Sequence, residues 1–140
     1  MGGENQNSPF SDSTEKKIRR IRLLLVDDEK EFLNVLSNRL RKRHMDVQTA
    51  HSGATAIQSL RRKDFDVAVV DLKMEDMSGI EVLHIFKKMA PEMPIIILTG
   101  HGSEEALKEG MMYGACDYLM KPCDFEDLLA KIREAVHLDP

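Results

Sequence analysis

The sequence predicts a single three-layer α/β domain: a five-stranded parallel sheet, doubly wound, with helices on both faces. Three observations lead there. From Ile21 onward, short apolar runs alternate with helical patterns, which is the spacing of strand-helix-strand units. Three of those runs, LLLV, VAVV and IIIL, are continuously apolar, as strands covered on both faces are. The runs also stop at polar groups: Asp27 and Asp28 after the first, Asp71 after the third, Thr99 at the fourth and Lys121 after the fifth. Parallel strands of one sheet end at one edge, so these side chains share a small site, and carboxylates crowded in this way require a cation.

The elements follow in order. Residues 21–26 form the first apolar run, and Asp27, Asp28 and Glu29 suit the positive end of the helix expected at 29–43. Residues 46–50 alternate through Met45, Asp46, Val47, Gln48 and Thr49, the pattern of an edge strand. Ser52 caps a helix at 53–63, and residues 66–70 supply a central strand. Ser78 with Glu81 has capping-box spacing before a helix at 78–89. A fourth strand at 94–98 precedes a helix at 103–113, opened by Ser103 and interrupted by Gly110, whose cost of roughly 1 kcal/mol relative to alanine marks a segment of low stability or of close packing. Cys116, Asp117 and Tyr118 begin an alternating fifth strand at 116–120. Asp124 opens the last helix, 124–137, with a stripe of Phe125, Leu128, Leu129, Ile132 and Val136 and an Asp127/Lys131 pair on another face. Edge strands two and five with right-handed crossovers permit the order 2-1-3-4-5, and its winding reverses between strands one and three. Asp27, Asp28 and Asp71 meet in that crevice.

Composition bounds the rest. A chain of 140 residues that is 42% hydrophobic can bury a core as one domain without staples. Its net charge of -4, from 24 acidic and 20 basic residues, creates no field for nucleic acid or an anionic membrane. No apolar run approaches the ~18 residues of a membrane span, and Met1 opens no leader pattern. With only Cys116 and Cys123, which flank a Lys-Pro step, packing roles and a reduced, cytoplasmic setting are expected. Residues 1–20 are expected to be a flexible tail, polar at first and then passing into a basic run of Lys16, Lys17, Arg19, Arg20 and Arg22 that leads to the first strand; the domain proper is expected at 21–138.

A carboxylate is a competent nucleophile toward phosphorus, and Asp71 is the best placed, since it leaves a central strand beside the acidic pair. Crowding raises carboxylate pKa values unless a hard divalent cation neutralises them. Mg²⁺, with Mn²⁺ as a substitute, suits one or two carboxylates together with water and phosphate oxygens. Lys121 offers a mobile point charge for phosphoryl oxygens, and Thr99 a hydroxyl donor.

On these residues the chain resembles the receiver domain of bacterial two-component response regulators, over about 21–138. The resemblance is carried by Asp27-Asp28, by Asp71 with Met74 and Gly79 after it, by Thr99-Gly100, and by Tyr118 three residues before Lys121-Pro122. It implies a flavodoxin-like sheet and makes Asp71 the acceptor of a phosphoryl group from a histidine kinase or histidine phosphotransfer protein. Asp28, Asp71 and the main-chain carbonyl of Lys73 would ligate the metal directly, and Asp27 through a bound water. Thr99 and Lys121 would bind the phosphoryl group, Thr99 and Tyr118 would form a coupled switch, and the Lys121-Pro122 bond would be cis. Output would pass through the fourth helix, fifth strand and fifth helix to a downstream protein effector or a second copy, with no direct nucleic-acid or membrane partner. Such a protein is not an enzyme; it assists only its own phosphorylation and dephosphorylation.

The chain departs from the family at Glu75, where proline is usual, and at Cys123, where an aromatic or branched residue is usual. Lys73 and His101 occupy positions that tune phosphoryl lifetime in the family. Three rival functions stay in view. An aspartyl-phosphate phosphatase would place its nucleophile in an Asp-x-Asp pattern after strand one, and a flavin- or nucleotide-binding module would need a Ser/Thr/Gly-rich loop there. The third rival is a phosphorylation-independent interaction module. The end of the chain after the fifth helix fits a stand-alone regulator, or the front part of a longer one with a transcriptional or enzymatic output domain.

Overall fold

The computed structural model describes residues 19–100 and 104–137. Five strands, β1 (Arg22–Val26), β2 (Asp46–Ala50), β3 (Val67–Val70), β4 (Ile95–Thr99) and β5 (Asp117–Met120), form one sheet in the order β2-β1-β3-β4-β5. Every pairing is parallel, with Leu24 beside both Gln48 and Ala68, and Ile97 beside both Val70 and Tyr118. The helices are α1 (Lys30–Arg41), α2 (Gly53–Arg62), α3 (Gly79–Met89), α4 (Glu104–Met112) and α5 (Phe125–His137).

Strand periodicity splits the core into two layers. Leu24, Val26, Ala68, Val70, Ile95 and Ile97 face α2, α3 and α4, whose Ala56, Leu60, Val82, Phe86 and Leu107 complete one cluster. Leu23, Leu25, Val67, Val69, Ile96 and Leu98 face α1 and α5, meeting Leu33, Leu36, Leu40, Phe125, Leu128 and Ile132. Side chains on a strand alternate between faces, so continuous apolar runs serve both layers. β1, β3 and β4 are buried at nearly every position and β5 alternates, as an edge strand does, whereas β2 is less regular and sends Val47 into one layer and Ala50 into the other.

Local signals set most helix ends. The Ser52 hydroxyl accepts from Thr55 N–H at 3.0 Å. Ser78 and Glu81 form the full capping box, at 3.1 and 3.2 Å. Ser103 lies outside the described residues. The first helix ends at Arg41, two residues short of the expected end. There His44 adopts φ +67 while His44 N–H donates to Arg41 O at 3.0 Å and Met45 N–H to Leu40 O at 3.3 Å. This is the Schellman pattern, with histidine where glycine is usual.

Two further expectations are corrected. Lys131 bonds Asp117 on β5 at 2.8 Å and not Asp127, because α5 lies against that edge strand. The stripe of the last helix holds, with Phe125, Leu128, Leu129 and Ile132 buried and Val136 packed, partly buried, against the same cluster, and Ala135 joins it. Arg19, assigned from sequence to the tail, reaches the Asp66 carboxylate at 3.4 Å.

Candidate functional site

Parallel strands deliver their C-terminal residues to one edge, and reversal of the winding between β1 and β3 opens a crevice there. Asp27 follows β1, Asp71 follows β3, and both are 2% exposed. Asp28 is partly exposed beside them, and oxygens of all three carboxylates lie within 4.8 Å of one another. The strand ladder sets this spacing: Asp27 N–H donates to Ala50 O at 3.1 Å, and Asp71 N–H to Val26 O at 3.0 Å.

Lys121 follows the edge strand β5 and reaches along the strand ends to the acidic group. Its Nζ donates to Asp27 Oδ2 at 2.6 Å, to Glu29 Oε1 at 3.0 Å and to Asp71 Oδ2 at 3.5 Å. The ammonium also sits 4.1 Å from the centre of the Phe32 ring. The Lys121-Pro122 peptide is cis. Lys121 N–H bonds Thr99 O at 2.8 Å, which ties the end of β5 to the end of β4.

Burial pushes the Asp27 carboxyl above its ordinary value, with the charge of Asp71 adding to the effect and the bonds from Lys121 and Glu29 N–H opposing it. Burial works to lower Lys121, but its bonds to Asp27 and Glu29 outweigh that and hold it above the ordinary lysine value. The contrast has a plain cause. Lys121 serves several carboxylates at once, whereas at Asp27 burial outweighs the single ammonium that it shares with Glu29 and Asp71. The pocket thus keeps an excess of negative charge. Its donors are all carboxylate oxygens, a set that fits a hard cation.

Thr99 is fully buried, while Tyr118 is 41% exposed. Thr99 lies two residues beyond Ile97, and Ile97 pairs with Tyr118, so both side chains belong to the face that carries α4. Gly110 of α4 lies directly on that face, and a Cβ there would overlap Ile97 Cδ1. Gly110 is therefore a packing requirement, the alternative to its being a mark of low helix stability. Lys73 and Glu75 are exposed on the loop after β3, Cys123 packs at the start of α5, and His101 lies outside the described residues.

Glu29 and Phe32, as partners of Lys121, had no individual signal in the sequence. Their closeness to the acidic pair, at the start of α1, was the available clue. Asp76 was likewise silent, although its carboxylate accepts from Gly53 N–H and Ala54 N–H at 2.9 and 3.0 Å.

An acidic crevice facing a lysine at the switch point of a doubly wound sheet defines a class of small α/β proteins that bind ligands beyond their strand ends. The sequence model of the response regulator receiver domain matches residues 23–133, and the chain belongs to that family. It is similar to the transcriptional regulatory protein ZraR of Escherichia coli K12, with 36% identity over 116 residues, 83% of this chain and 26% of that protein. It is also similar to the regulatory protein LuxO of Vibrio cholerae, with 32% identity over 112 residues, 80% of this chain and 25% of that protein. The chain therefore spans about a quarter of the length of these curated relatives.

Among solved structures, a CheY-like receiver domain protein from Methanospirillum hungatei JF-1 superposes with a TM-score of 0.81 at 32% identity, over 84% of this chain and 94% of that one. The chemotaxis response regulator CheY4 of Vibrio cholerae gives 0.77 at 30% identity, over 83% and 98%. The chain is a receiver domain of the two-component type, a signalling switch in class. No helix among the described residues is long and apolar enough to cross a membrane.

Proposed function

We propose that Asp71 accepts a phosphoryl group from the phosphohistidine of a histidine kinase or a histidine phosphotransfer protein. The observation that supports this best is the convergence of Asp27, Asp28 and Asp71 on one site with Lys121 reaching across it. Asp28, Asp71 and the Lys73 carbonyl would hold Mg²⁺, or Mn²⁺ in its place, with Asp27 acting through a water molecule. The cation supplies the positive charge that lets an anionic phosphoryl group approach a carboxylate.

In the transfer, an Asp71 carboxylate oxygen forms the new bond to phosphorus as the bond from phosphorus to the histidine nitrogen breaks, and the electron pair leaves with the imidazole. Catalysis here is positioning and charge stabilisation, as in phosphoryl transfer generally. Lys121 is already drawn toward Asp71 and would pair with a phosphoryl oxygen, and the Thr99 hydroxyl would donate to another. Hydrolysis by water returns the carboxylate and releases inorganic phosphate.

The altered surface would be that of α4, β5 and α5. Met112, Tyr113, Tyr118 and Met120 leave substantial apolar area exposed there for a downstream protein or a second copy. In a longer protein of the relatives' size, this domain would govern an output domain. Intact-mass measurement tests the core of the proposal. With Mg²⁺ and acetyl phosphate the parent gains one phosphoryl group, and the adduct disappears in Asp71→Asn and with chelator. An Asp71→Asn variant phosphorylated as well as the parent would overturn it.

A further inference from the structure

The loop from β3 to α3 carries the Lys73 carbonyl, and its path is pinned at three places. At its base, Gly79 N–H donates to Leu72 O at 2.7 Å. No Cβ fits at Gly79, since Leu72 Cα would lie 2.6 Å from it. At its start, Lys73 N–H donates to Asp71 Oδ1 at 3.3 Å. The third point lies at the far end of the loop. There the Asp76 carboxylate takes the N–H groups of Gly53 and Ala54, one on each oxygen.

Gly53 and Ala54 begin α2, and the first N–H groups of a helix have no partner within it. Yet α2 already has its cap in Ser52, which takes Thr55 N–H. Asp76 therefore does more than close a helix end. It joins the site's loop to a separate element through two charge-assisted bonds. These bonds hold the Asp76 carboxyl below its ordinary value. Met77 packs into the same junction, where a Cβ on Gly53 would come 2.6 Å from Met77 Sδ.

We infer that Asp76 is a positioning residue: by clamping the β3–α3 loop to the start of α2, it fixes the Lys73 carbonyl relative to Asp71 and preorganises the oxygen set of the site. This rests on the phosphoacceptor function proposed above. A loop held only at its base must order its apex when a cation binds, and that ordering subtracts from affinity. Because Asp76 is exposed, its replacement leaves both core layers intact.

The test compares Asp76→Ala, Asp76→Asn and Ser52→Ala in the full chain. One measurement is Mg²⁺ affinity from amide NMR shifts; the other is amide hydrogen exchange across 72–78 without metal. Loss of a supporting partner weakens metal binding by about 10- to 100-fold, and the low end, about tenfold, is expected for Asp76→Ala. Exchange across the loop quickens in the same variant. Asp76→Asn keeps one acceptor oxygen and falls between it and the parent. Ser52→Ala loosens α2 but leaves Mg²⁺ affinity near the parent's.

Parent-like affinity and exchange in Asp76→Ala would overturn the inference. So would equal weakening in Ser52→Ala, which would reduce Asp76 to a helix cap. A parent that binds Mg²⁺ but never phosphorylates Asp71 would sink the phosphoacceptor function alone, because the clamp is judged by affinity and exchange. A parent that binds no Mg²⁺ would overturn both.

Discussion

At the residue scale, charge is placed by burial and by what can reach it. Lys121 answers the acidic crevice, and at the opposite edge Asp66 has a comparable structural task. Its carboxylate accepts from Arg22 N, Nε and NH2 at 2.8, 3.2 and 2.9 Å, joining the start of β1 to the start of β3. Burial alone would raise Asp66, but the bonds and charge of Arg22 outweigh it and hold the carboxyl below its ordinary value. A carboxyl lowered by folding adds stability that is complete above its unfolded value near pH ~4 and is lost as pH falls through the folded value. Asp66→Asn should therefore cost about 1–2 kcal/mol at pH 7 once solvent screening is allowed for. Urea unfolding at pH 7 and at pH 3 checks this. A penalty of the same size at both values would locate the loss somewhere other than the ion pair.

At the element scale, helix ends decide how each strand is re-entered. α1 and α4 both close with the Schellman pattern: Gly114 at φ +113 with Ala115 N–H on Gly110 O at 3.0 Å, and His44 at φ +67. A side chain in this left-handed region costs roughly 1–2 kcal/mol, part of which glycine gives back through its freer unfolded chain. His44→Gly should gain about 0.5 kcal/mol or slightly more. Gly114→Ala should lose about 1–2 kcal/mol, since its Cβ also presses on the Lys87 side chain. Thermal or urea denaturation reads both, and effects of the same sign would contradict the conformational argument. The capping box of α3 was legible in sequence because it is local and chemical. The early end of α1 was not, because histidine at a left-handed position carries no signal comparable to glycine.

At the scale of the whole molecule, the two core layers give the acidic edge, the proposed phosphoacceptor site, different neighbours. α4 rests on Ile97 through Gly110, two residues before Thr99, and β5 presents Tyr118 on the same face. A phosphoryl group that draws Thr99 toward Asp71 would disturb this junction first. Hydrogen exchange with and without beryllofluoride should change most across about 99–121. Changes confined to α1 and α2 would place the output surface elsewhere and leave the Thr99-Tyr118 coupling unsupported.

The sequence by itself determined the element order, the central and edge strands, and the meeting of Asp27, Asp28 and Asp71. Each of these depends on short-range periodicity together with the rule that parallel strands end at a common edge. Tertiary structure alone decided which partners the charges chose. Lys131 reaches Asp117 and not Asp127, Asp66 gathers Arg19 and Arg22, Lys121 rests on Phe32, and Asp76 crosses to the start of α2. The physical reason is range. Hydrophobic periodicity is written in neighbouring residues, whereas a carboxylate takes whichever donors the packed helices bring within about 3 Å, and sequence spacing does not encode that distance.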